Sequence, residues 1–348
     1  MKSYCIKKYG APLEMVEMAT PSPKGDEVLL EVSGCGVCHS DIHILDGYFD
    51  LGGDKKADLS SIHQLPFTLG HEIAGTVKAL GSDASGVREG DQVVVYPWIG
   101  CGECNHCNLG QEQLCSQPRN LGINLPGGYS THVLVPHARY MMAIGDTPPE
   151  LAATYACSGL TAYGALKKLK SKAEGNYLVI IGAGGVGLAG VKIAKAMKQT
   201  EIIVIDINPE KRQVALDLGA QYVVDPSETD ARKQLYKLTG GVFAIVDFVG
   251  SYETVQFAFG ALGTGGQLVV VGLFGGAANL PVPMFPLKNL TVMGSYVGSL
   301  EDMRELMDMV VAGKVDALPV DSRPLDQANL TLQDLAGGNI IGRVVLAP

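Results

Sequence analysis

The 348-residue sequence has no long apolar run, no excess of positive charge and no internal repeat. Its longest weakly polar stretches, residues 177–191 and 268–278, are short and rich in glycine, so we predict no membrane-spanning helix. The 27 Lys and Arg stand against 36 Asp and Glu, and the net charge of -9 argues against nucleic acid as a partner. Residues 1–10 lack the apolar core of a signal peptide, so the sequence predicts a cytoplasmic protein.

The order of apolar patterns along the chain predicts two domains. Strand-like runs punctuated by glycine dominate the first third, whereas from about residue 160 apolar strands alternate with amphipathic helices. That alternation is typical of a parallel sheet with crossover helices. The predicted strands cover 27–32, 73–79, 92–96, 177–181, 202–206, 243–249 and 267–271, and the predicted helices cover 186–197, 210–218, 251–261 and 300–312. We expect residues 299–348 to return to the first domain.

A glycine-rich hexapeptide between a predicted strand and a predicted helix fits the pattern G-x-G-x-x-G. It consists of Gly182, Ala183, Gly184, Gly185, Val186 and Gly187. The first glycine permits a tight turn, the second lets the backbone approach a pyrophosphate, and the third lets helix and strand pack closely. A tight turn with no ligand is the alternative interpretation of the glycines.

Asp206 ends the next predicted strand, nineteen residues after Gly187. Its carboxylate can accept hydrogen bonds from the ribose hydroxyls of NAD and would repel the 2′-phosphate of NADP. We therefore predict NAD(H) as the cofactor. Lys211 and Arg212 slightly weaken this preference, although a solvated helix face is the better explanation for them.

Four of the eight cysteines lie within fifteen residues, with the spacing C-x2-C-x2-C-x7-C: Cys101, Cys104, Cys107 and Cys115. Four thiolates in one short loop match a closed tetrahedral zinc site, and because no ligand position is left for substrate, the predicted role is structural. An iron–sulfur cluster also uses four cysteines, although Ser116 stands where the bacterial ferredoxin pattern has proline. Disulfides are the third alternative, disfavoured in a reducing compartment. We interpret His106 as an exposed loop residue.

A second group of metal-ligating residue types is dispersed along the sequence, at Cys38, His71 and Cys157. Two thiolates and one imidazole would leave the fourth position of a zinc ion open, as a catalytic site requires. Spacing alone does not establish this site. Taken singly, the two cysteines can be buried thiols and the histidine a hydrogen-bonded core residue.

The sequence around these residues resembles the zinc-containing medium-chain alcohol dehydrogenases. The resemblance rests on residues 34–41 (GCGVCHSD), residues 69–75 (LGHEIAG), the four-cysteine lobe and the glycine hexapeptide, which occur in the family's order over nearly the whole chain. It implies an α/β fold: a GroES-like β-rich catalytic domain, residues 1–158 and 299–348, plus a Rossmann doubly wound parallel-sheet domain that binds NAD, residues 159–298. It also implies two zinc ions per chain, one catalytic and one structural, and a homo-oligomer, dimer or tetramer.

The resemblance places the catalytic zinc on Cys38, His71 and Cys157. It puts Glu72 behind the metal, where the carboxylate can exchange onto it. Asp41 matches the acid that fixes the tautomer of His71 and raises its basicity.

Five further residues match positions that serve the cofactor or the proton in this family. Ser40 and His43 match the proton-relay positions. His39 and Arg343 match positions near the cofactor pyrophosphate, although a neutral surface residue is the alternative for His39. Thr161 matches a residue that packs against the nicotinamide.

These features together predict a zinc-dependent oxidoreductase that transfers a hydride between NAD(H) and a small, mainly apolar alcohol or its ketone or aldehyde. A polyol or formaldehyde-linked dehydrogenase is the enzymatic alternative, and a non-catalytic zinc and dinucleotide-binding redox sensor is the alternative of another class. A metal-free reductase of the same superfamily is a third alternative. Such relatives generally lack the cysteine lobe and the paired metal ligands that stand here. The candidates for lining an apolar substrate cleft, with core packing as the equal alternative, are Tyr96, Trp98, Tyr296 and Val297.

Residues 50–63 look like an insertion relative to the family. Asp54, Lys55, Lys56 and Asp58 make this segment polar, so we expect a solvated surface loop. A lid that narrows the substrate entrance is the alternative.

Overall fold

The structure is a computed structural model that describes residues 1–52, 55–199 and 201–348. The chain divides into two compact units, the first formed by Met1–Phe49, Ala57–Leu160 and Ser299–Pro348, and the second by Asp50–Lys56 and Thr161–Gly298. Within the described residues, no helix combines the length and apolar character needed to cross a bilayer.

Strands dominate the chain up to Gly159, as the glycine-punctuated runs predicted. The strands are β1 (Lys2–Ile6), β2 (Glu14–Glu17), β3 (Val28–Gly36), β4 (Tyr48–Gly52), β5 (Lys55–Asp58), β6 (Phe67–Thr68), β7 (Glu72–Leu80), β8 (Gln92–Val95), β9 (His132–Val135) and β10 (Met141–Ala143). The helices are α1 (His39–Asp46), α2 (Asn105–Asn108), α3 (Pro149–Thr154), the 3-10 turns Glu112–Leu114 and Ala138–Tyr140, and the π-helical turn Tyr155–Gly159.

The second unit is a doubly wound α/β domain. Its strands are β11 (Leu178–Ile181), β12 (Ile202–Ile205), β13 (Tyr222–Val224), β14 (Val242–Asp247), β15 (Leu262–Val270) and β16 (Thr291–Gly294). Its helices are α4 (Leu160–Ala173), α5 (Gly185–Ala196), α6 (Pro209–Leu218), α7 (Ala231–Thr239), α8 (Tyr252–Ala261) and α9 (Met284–Lys288).

The six strands of this unit form one parallel sheet in the order β13-β12-β11-β14-β15-β16. This is the Rossmann order, in which successive strands are added on one side of β11 up to β13 and on its other side from β14 onwards. Every residue of β11 and β12 is buried, because helices cover both faces of the sheet and leave no solvated side. Helix α6 shows the local signals that start and stop a helix: Asn208 caps it, Pro209 is its first residue and Gly219 ends it at φ 114°.

The C-terminal segment adds α10 (Leu300–Val311), β17 (Val320–Pro324), the 3-10 turn Leu325–Gln327, α11 (Ala328–Ala336) and β18 (Arg343–Ala347). These residues belong to the first unit. There β17 and β18 complete the main sheet, of order β10-β8-β7-β3-β18-β17, and β9 pairs with β3. A three-stranded sheet, β2-β1-β6, completes the β structure of this unit.

The segment 50–63 is only partly the loop that the sequence predicted. Strands β4 and β5 pair into a two-stranded sheet, so regular structure extends into the apparent insertion. The segment is nevertheless largely solvated, since every residue of β5 is exposed or half-buried. Asp54, one of the polar residues behind that prediction, lies outside the described residues.

Candidate functional site

The structure brings Cys38, His71 and Cys157 together, with their ligand atoms within 4.8 Å of one another and all three side chains buried. Cys38 and His71 flank neighbouring strands. Because β3 and β7 are antiparallel with Gly36 opposite Glu72, the end of one strand meets the beginning of the other. Cys157 comes from the π-helical turn Tyr155–Gly159, a form of helix that often marks functional sites.

The chemistry of these three side chains suits a zinc ion. Nε2 of His71 is buried and has no hydrogen-bond partner among the described residues, which calls for an explanation such as a metal ion. The neighbouring Cys157 thiol holds the pKa of Cys38 well below its usual value, with His71 adding to the effect against the opposing effect of burial. One thiolate, a second thiol that a metal can deprotonate and one imidazole are ligands that zinc prefers.

Asp41 orients this group from behind. Its Oδ1 lies 3.2 Å from Nδ1 of His71, and both side chains are fully buried. Its Oδ2 accepts hydrogen bonds from the backbone N–H of Cys38 and from the hydroxyl of Tyr129, each at 2.9 Å. Burial by itself lowers the pKa of His71, but the carboxylate of Asp41 raises it well above its usual value.

Glu72 is fully buried beside the three ligands. Its carboxylate accepts a hydrogen bond from the backbone N–H of Ser158 at 3.2 Å and pairs with the guanidinium of Arg343. Burial raises the pKa of Glu72 to about 7, against the opposing charge of Arg343. A Cβ at Gly36 would lie 1.9 Å from Glu72 Oε2, so this position requires glycine. The role of Arg343 at a cofactor pyrophosphate stays a prediction.

Helix α1 carries the predicted proton-relay residues. Cys38 caps the helix, and Ser40 Oγ lies 3.8 Å from Cys38 Sγ. His43 is half-buried, its ring centroid lies 5.0 Å from that of Phe49, and burial lowers its pKa. His39 is exposed.

Gly70, directly before His71, offers a sharp test of how tightly this region is packed. Its φ is 95°, and a Cβ there would lie 2.4 Å from the ring of Tyr129. We expect Gly70→Ala to lower the free energy of unfolding by about 3 kcal/mol, combining backbone strain with overpacking. Chemical denaturation measures this loss.

Gly86→Ala is the matched control for Gly70→Ala. Gly86 has φ 92°, and a Cβ there would have no described atom within 4 Å. It should therefore show the backbone cost alone, about 1 kcal/mol. Equal losses in the two variants would contradict the tight packing around His71.

The second cysteine group forms a four-sulfur cluster. The Sγ atoms of Cys101, Cys104, Cys107 and Cys115 lie within 4.8 Å of one another. Cys104 Sγ is 3.5 Å from that of Cys107 and 3.7 Å from that of Cys115. Thiolates about 2.3 Å from one zinc ion in a tetrahedron lie about 3.8 Å apart, so the cluster fits zinc. All eight cysteines are free, in contrast to the disulfide alternative.

Two features of the four-sulfur lobe suit a metal site. One of its thiols has a lowered pKa, and a buried glutamate, Glu112, holds the lobe in place. The backbone N–H of Cys107 lowers the pKa of Cys104 to about 6, whereas burial raises the pKa of Cys107 to about 12, so one thiol of this pair is already prone to lose its proton. Glu112 is buried and accepts hydrogen bonds from the backbone N–H of Gly100 at 3.0 Å and from Tyr140 Oη at 2.8 Å. His106 is exposed as predicted, although it lies on the short helix α2 rather than on a loop.

The glycine hexapeptide forms the turn between β11 and α5. Gly182 has φ 91°, and a Cβ there would lie 2.7 Å from the side chain of Val249. A Cβ at Gly187 would lie 1.8 Å from the carbonyl oxygen of Gly182, so helix and strand pack through this glycine. At Gly184, the N-cap of α5, no described atom lies within 4 Å of the Cβ position, which leaves the backbone open to a ligand. Gly185 and Val186 form the first turn of α5.

Asp206 follows β12 beside this turn. Its two carboxylate oxygens accept backbone hydrogen bonds from Ala183 at 2.7 Å and Asn208 at 2.8 Å. Arg212 pairs with Asp225 at 2.9 Å and donates to the carbonyl of Asp206 at 2.7 Å. The guanidinium that could have favoured NADP is thus already engaged.

Of the candidate cleft residues, Tyr96 and Trp98 are packed in the core. Trp98 is 2% exposed, donates from Nε1 to the carbonyl of Ala156 at 3.1 Å, and has its ring centroid 5.4 Å from that of His71. Tyr296 is 45% exposed and Val297 is buried. Thr161 is buried in the first turn of α4.

Sequence reasoning missed three contributors to the buried surroundings of Cys38, His71 and Cys157: Tyr129, Gly36 and the backbone N–H of Ser158. Tyr129 follows Gly127 and Gly128, a pair that signals a turn but not a contact with Asp41. Gly36 lies within residues 34–41, and Ser158 directly follows the candidate ligand Cys157, but neither was assigned a role. None of the three has a local signal in the sequence, because each contact forms only when the fold brings distant segments together.

Comparison with known proteins identifies relatives over the whole chain. Residues 24–146 match the alcohol dehydrogenase GroES-like domain, and residues 185–312 match the zinc-binding dehydrogenase family. An NAD-dependent alcohol dehydrogenase of Saccharolobus solfataricus is 37% identical over 350 residues, covering 100% of both chains.

Two solved structures have the same fold as this chain. The alcohol dehydrogenase from Aeropyrum pernix superposes with a TM-score of 0.88 at 31% identity, covering 100% of both chains. Acetophenone reductase from Geotrichum candidum in complex with NAD has a TM-score of 0.86 at 28% identity, covering 100% of this chain and 97% of that chain.

Proposed function

The chain belongs to the zinc-binding, GroES-like alcohol dehydrogenase family, and on this basis we propose that it transfers a hydride between NAD(H) and a small, mainly apolar alcohol or its carbonyl product. The observation that carries the proposal is the buried group of Cys38, His71 and Cys157, whose imidazole Nε2 has no partner among the described residues. The NAD dependence of the Saccharolobus relative and the aryl ketone named for the Geotrichum reductase support the cofactor and the apolar substrate.

Two zinc ions per chain fit the two side-chain clusters. The four-sulfur lobe offers a closed set of ligands, whereas the three-ligand group leaves one position open. When bound in the open site, zinc supplies a Lewis acid that makes an alcohol proton removable near neutral pH. Asp41 orients His71 there, and the fully buried Glu72 provides a further carboxylate beside the ligands.

Ser40 and His43 are the residues that we assign to proton transfer. They are three positions apart on α1 and therefore lie on neighbouring parts of the helix surface. Because burial lowers the pKa of His43, its ring is neutral near pH 7 and can accept a proton at a free ring nitrogen. Ser40 Oγ, 3.8 Å from Cys38 Sγ, is the hydroxyl nearest to the ligand on this helix.

The direct test measures NADH formation with a panel of alcohols. Purified protein should reduce NAD with aliphatic, alicyclic or arylalkyl alcohols, at a higher kcat/KM than with polyols or a formaldehyde adduct. Metal analysis should find two zinc ions per chain, and a chelator should remove the activity. Absence of NADH formation with every alcohol, in protein that holds both zinc ions, would favour the non-catalytic sensor instead.

Asp206 is proposed to select NAD, and its replacement tests that role. We expect Asp206→Ser to lower kcat/KM for NAD by about thirty-fold, since a hydrogen bond to a charged group contributes about 2 kcal/mol. The value for NADP should rise because the repulsion of the 2′-phosphate is lost. Steady-state kinetics with both cofactors measure the change.

Asp217→Ser is the control for the Asp206 variant, since Asp217 lies on α6 in the same unit and bonds Gln213 rather than the glycine turn. Its kcat/KM for both cofactors should match that of the unaltered protein. An Asp206→Ser protein with an unchanged preference for NAD would rule out this assignment.

We also propose a cytoplasmic homo-oligomer, a dimer or tetramer assembled through the dinucleotide unit. Strand β16 is an edge of the six-stranded sheet, and Leu273, Phe274 and Leu287 of the same unit are 50–75% exposed. Open edges and exposed apolar side chains favour association. None of the eight cysteines forms a disulfide, which suits a reducing compartment. Light scattering that gave the 36.7 kDa of a single chain would contradict the assembly.

A further inference from the structure

Tyr129 is a fully buried residue of the loop before β9, and its backbone is fixed to the segment that carries His71. Its N–H donates to the carbonyl of Leu69 at 2.9 Å, and the N–H of Gly128 donates to the carbonyl of Gly70 at 2.7 Å. The Tyr129 ring lies so close to Gly70 that a Cβ there would be 2.4 Å from it. The tyrosine therefore cannot shift without moving the chain next to His71.

The hydroxyl of Tyr129 reaches the carboxylate that faces His71. Asp41 Oδ2 accepts hydrogen bonds from the Tyr129 hydroxyl and from the backbone N–H of Cys38, both at 2.9 Å. With both donors on Oδ2, the other oxygen, Oδ1, faces Nδ1 of His71 at 3.2 Å, an ion-pair contact between two fully buried groups rather than an aligned hydrogen bond. One donor to Asp41 is thus the backbone of the candidate ligand Cys38. The other, Tyr129, is fixed by backbone hydrogen bonds to the segment that carries His71.

We propose that Tyr129 is a positioning residue of the three-ligand metal site: its hydroxyl fixes the rotation of the Asp41 carboxylate, and Asp41 in turn fixes the ring of His71. This inference rests on the proposed function, since it assumes that Cys38, His71 and Cys157 bind a metal ion. It adds a residue that no motif identifies, which acts on the metal site through Asp41 and His71.

The His71 imidazole is therefore held in its metal-binding orientation before a metal ion binds. Groups that orient a metal-bound histidine typically change metal affinity by 10–100-fold when they are lost. Tyr129→Phe removes one of two donors to Asp41 and leaves the ring in place, so the lower end of that range applies. A ten-fold loss of affinity carried by dissociation corresponds to about ten-fold faster metal release from this site.

The experiment follows metal release from full-length protein into an excess of a colour-forming chelator, in parallel with spectra of Co²⁺-substituted protein. The phase that belongs to the three-ligand site is the one that a Cys38→Ser variant lacks. In Tyr129→Phe this phase should be about ten-fold faster. The d–d absorption bands of Co²⁺ should shift as well, because they report the arrangement of the ligands. Loss of packing alone would not move the bands.

Tyr140→Phe is the matched control. Tyr140 is also buried, and its hydroxyl also donates to a buried carboxylate, that of Glu112 at 2.8 Å, but this carboxylate belongs to the four-sulfur lobe. The control should release metal from the three-ligand site at the original rate. The Co²⁺ bands that Cys38→Ser lacks, which belong to that site, should not shift. Equal effects of the two substitutions would reduce Tyr129 to a general contributor to stability and overturn the inference.

A double variant tests whether Tyr129 acts through Asp41. If it does, Tyr129→Phe combined with Asp41→Asn should release metal no faster than Asp41→Asn alone, because interacting residues are not additive. Additive acceleration would contradict the proposed order of contacts. Should Asp41→Asn fail to fold, the comparison of Tyr129→Phe with Tyr140→Phe decides.

The outcomes separate this inference from the proposed function. An unaltered protein that held no metal at the three-ligand site would defeat both. A protein that held the metal and oxidised alcohols, but whose Tyr129→Phe variant kept the original release rate and Co²⁺ spectrum, would defeat only the role of Tyr129.

Discussion

Replacing Cys38 with serine is expected to remove one of the two zinc ions per chain and to lower kcat by about a thousand-fold or more. A Lewis acid is worth several kcal/mol of transition-state stabilisation, and each 1.36 kcal/mol is about ten-fold in rate. Cys38 is buried beside Cys157 and His71, where a serine hydroxyl would stay protonated and bind zinc poorly. Metal analysis and steady-state kinetics on the same preparation measure both changes.

Cys5→Ser is the matched control for the Cys38 variant. Cys5 is equally buried in the first unit, but its Sγ lies 3.3 Å from Thr68 Oγ1, a partner that a serine hydroxyl can keep. This control should retain both zinc ions and its activity. Full activity in the Cys38→Ser protein would refute the assignment of the open metal site, whatever its thermal stability.

The dinucleotide unit was predictable because its signals are local. The predicted strands 177–181 and 202–206 correspond to Leu178–Ile181 and Ile202–Ile205, and the predicted helix 186–197 corresponds to Gly185–Ala196. Continuous apolar runs, a glycine turn and an amphipathic helix each depend on residues close together in sequence. The strands are parallel because each is joined to the next by a crossover connection, which is usually a helix, and such crossovers are right-handed.

The grouping of Cys38, His71 and Cys157 was predictable only through family resemblance. Cys38, His71 and Cys157 are widely separated in sequence, and no spacing rule distinguishes them from buried thiols and a core histidine. Their meeting depends on the register of two antiparallel strands and on a π-helical turn. Neither the register nor the turn has a strong signal in a single sequence.

Residues that support the ligands were the least predictable. The pair of Arg343 and Glu72 spans 271 positions, and the hydrogen bond from Tyr129 to Asp41 spans 88. Such contacts satisfy buried charges that the fold has already brought together, so they depend on tertiary structure rather than on local pattern. Segment 50–63 was predicted only in part: its polar composition predicted exposure to solvent but not the pairing of β4 with β5.

The four-sulfur lobe differs from the open site in how it contributes to the protein. Between Cys101 and Cys115 regular structure is limited to α2 and one 3-10 turn, and most of the side chains are exposed. Such a segment buries too little apolar surface to fold by itself, so a metal ion bound by its four cysteines would stabilise it directly. Loss of this metal should therefore affect stability before it affects the chemistry.

Cys104→Ser is accordingly expected to lose the structural zinc and to lower Tm by about 10 °C, while the protein that remains folded at 25 °C keeps most of its kcat. Cys104 Sγ lies within 3.7 Å of two other sulfurs of the cluster, so its loss breaks the tetrahedral set. Thermal unfolding with metal analysis before and after heating measures the effect. His106→Asn, at an exposed donor in the same lobe, should change neither Tm nor zinc content. A Cys104→Ser protein with its original Tm and two zinc ions would show that the lobe folds without the fourth thiolate.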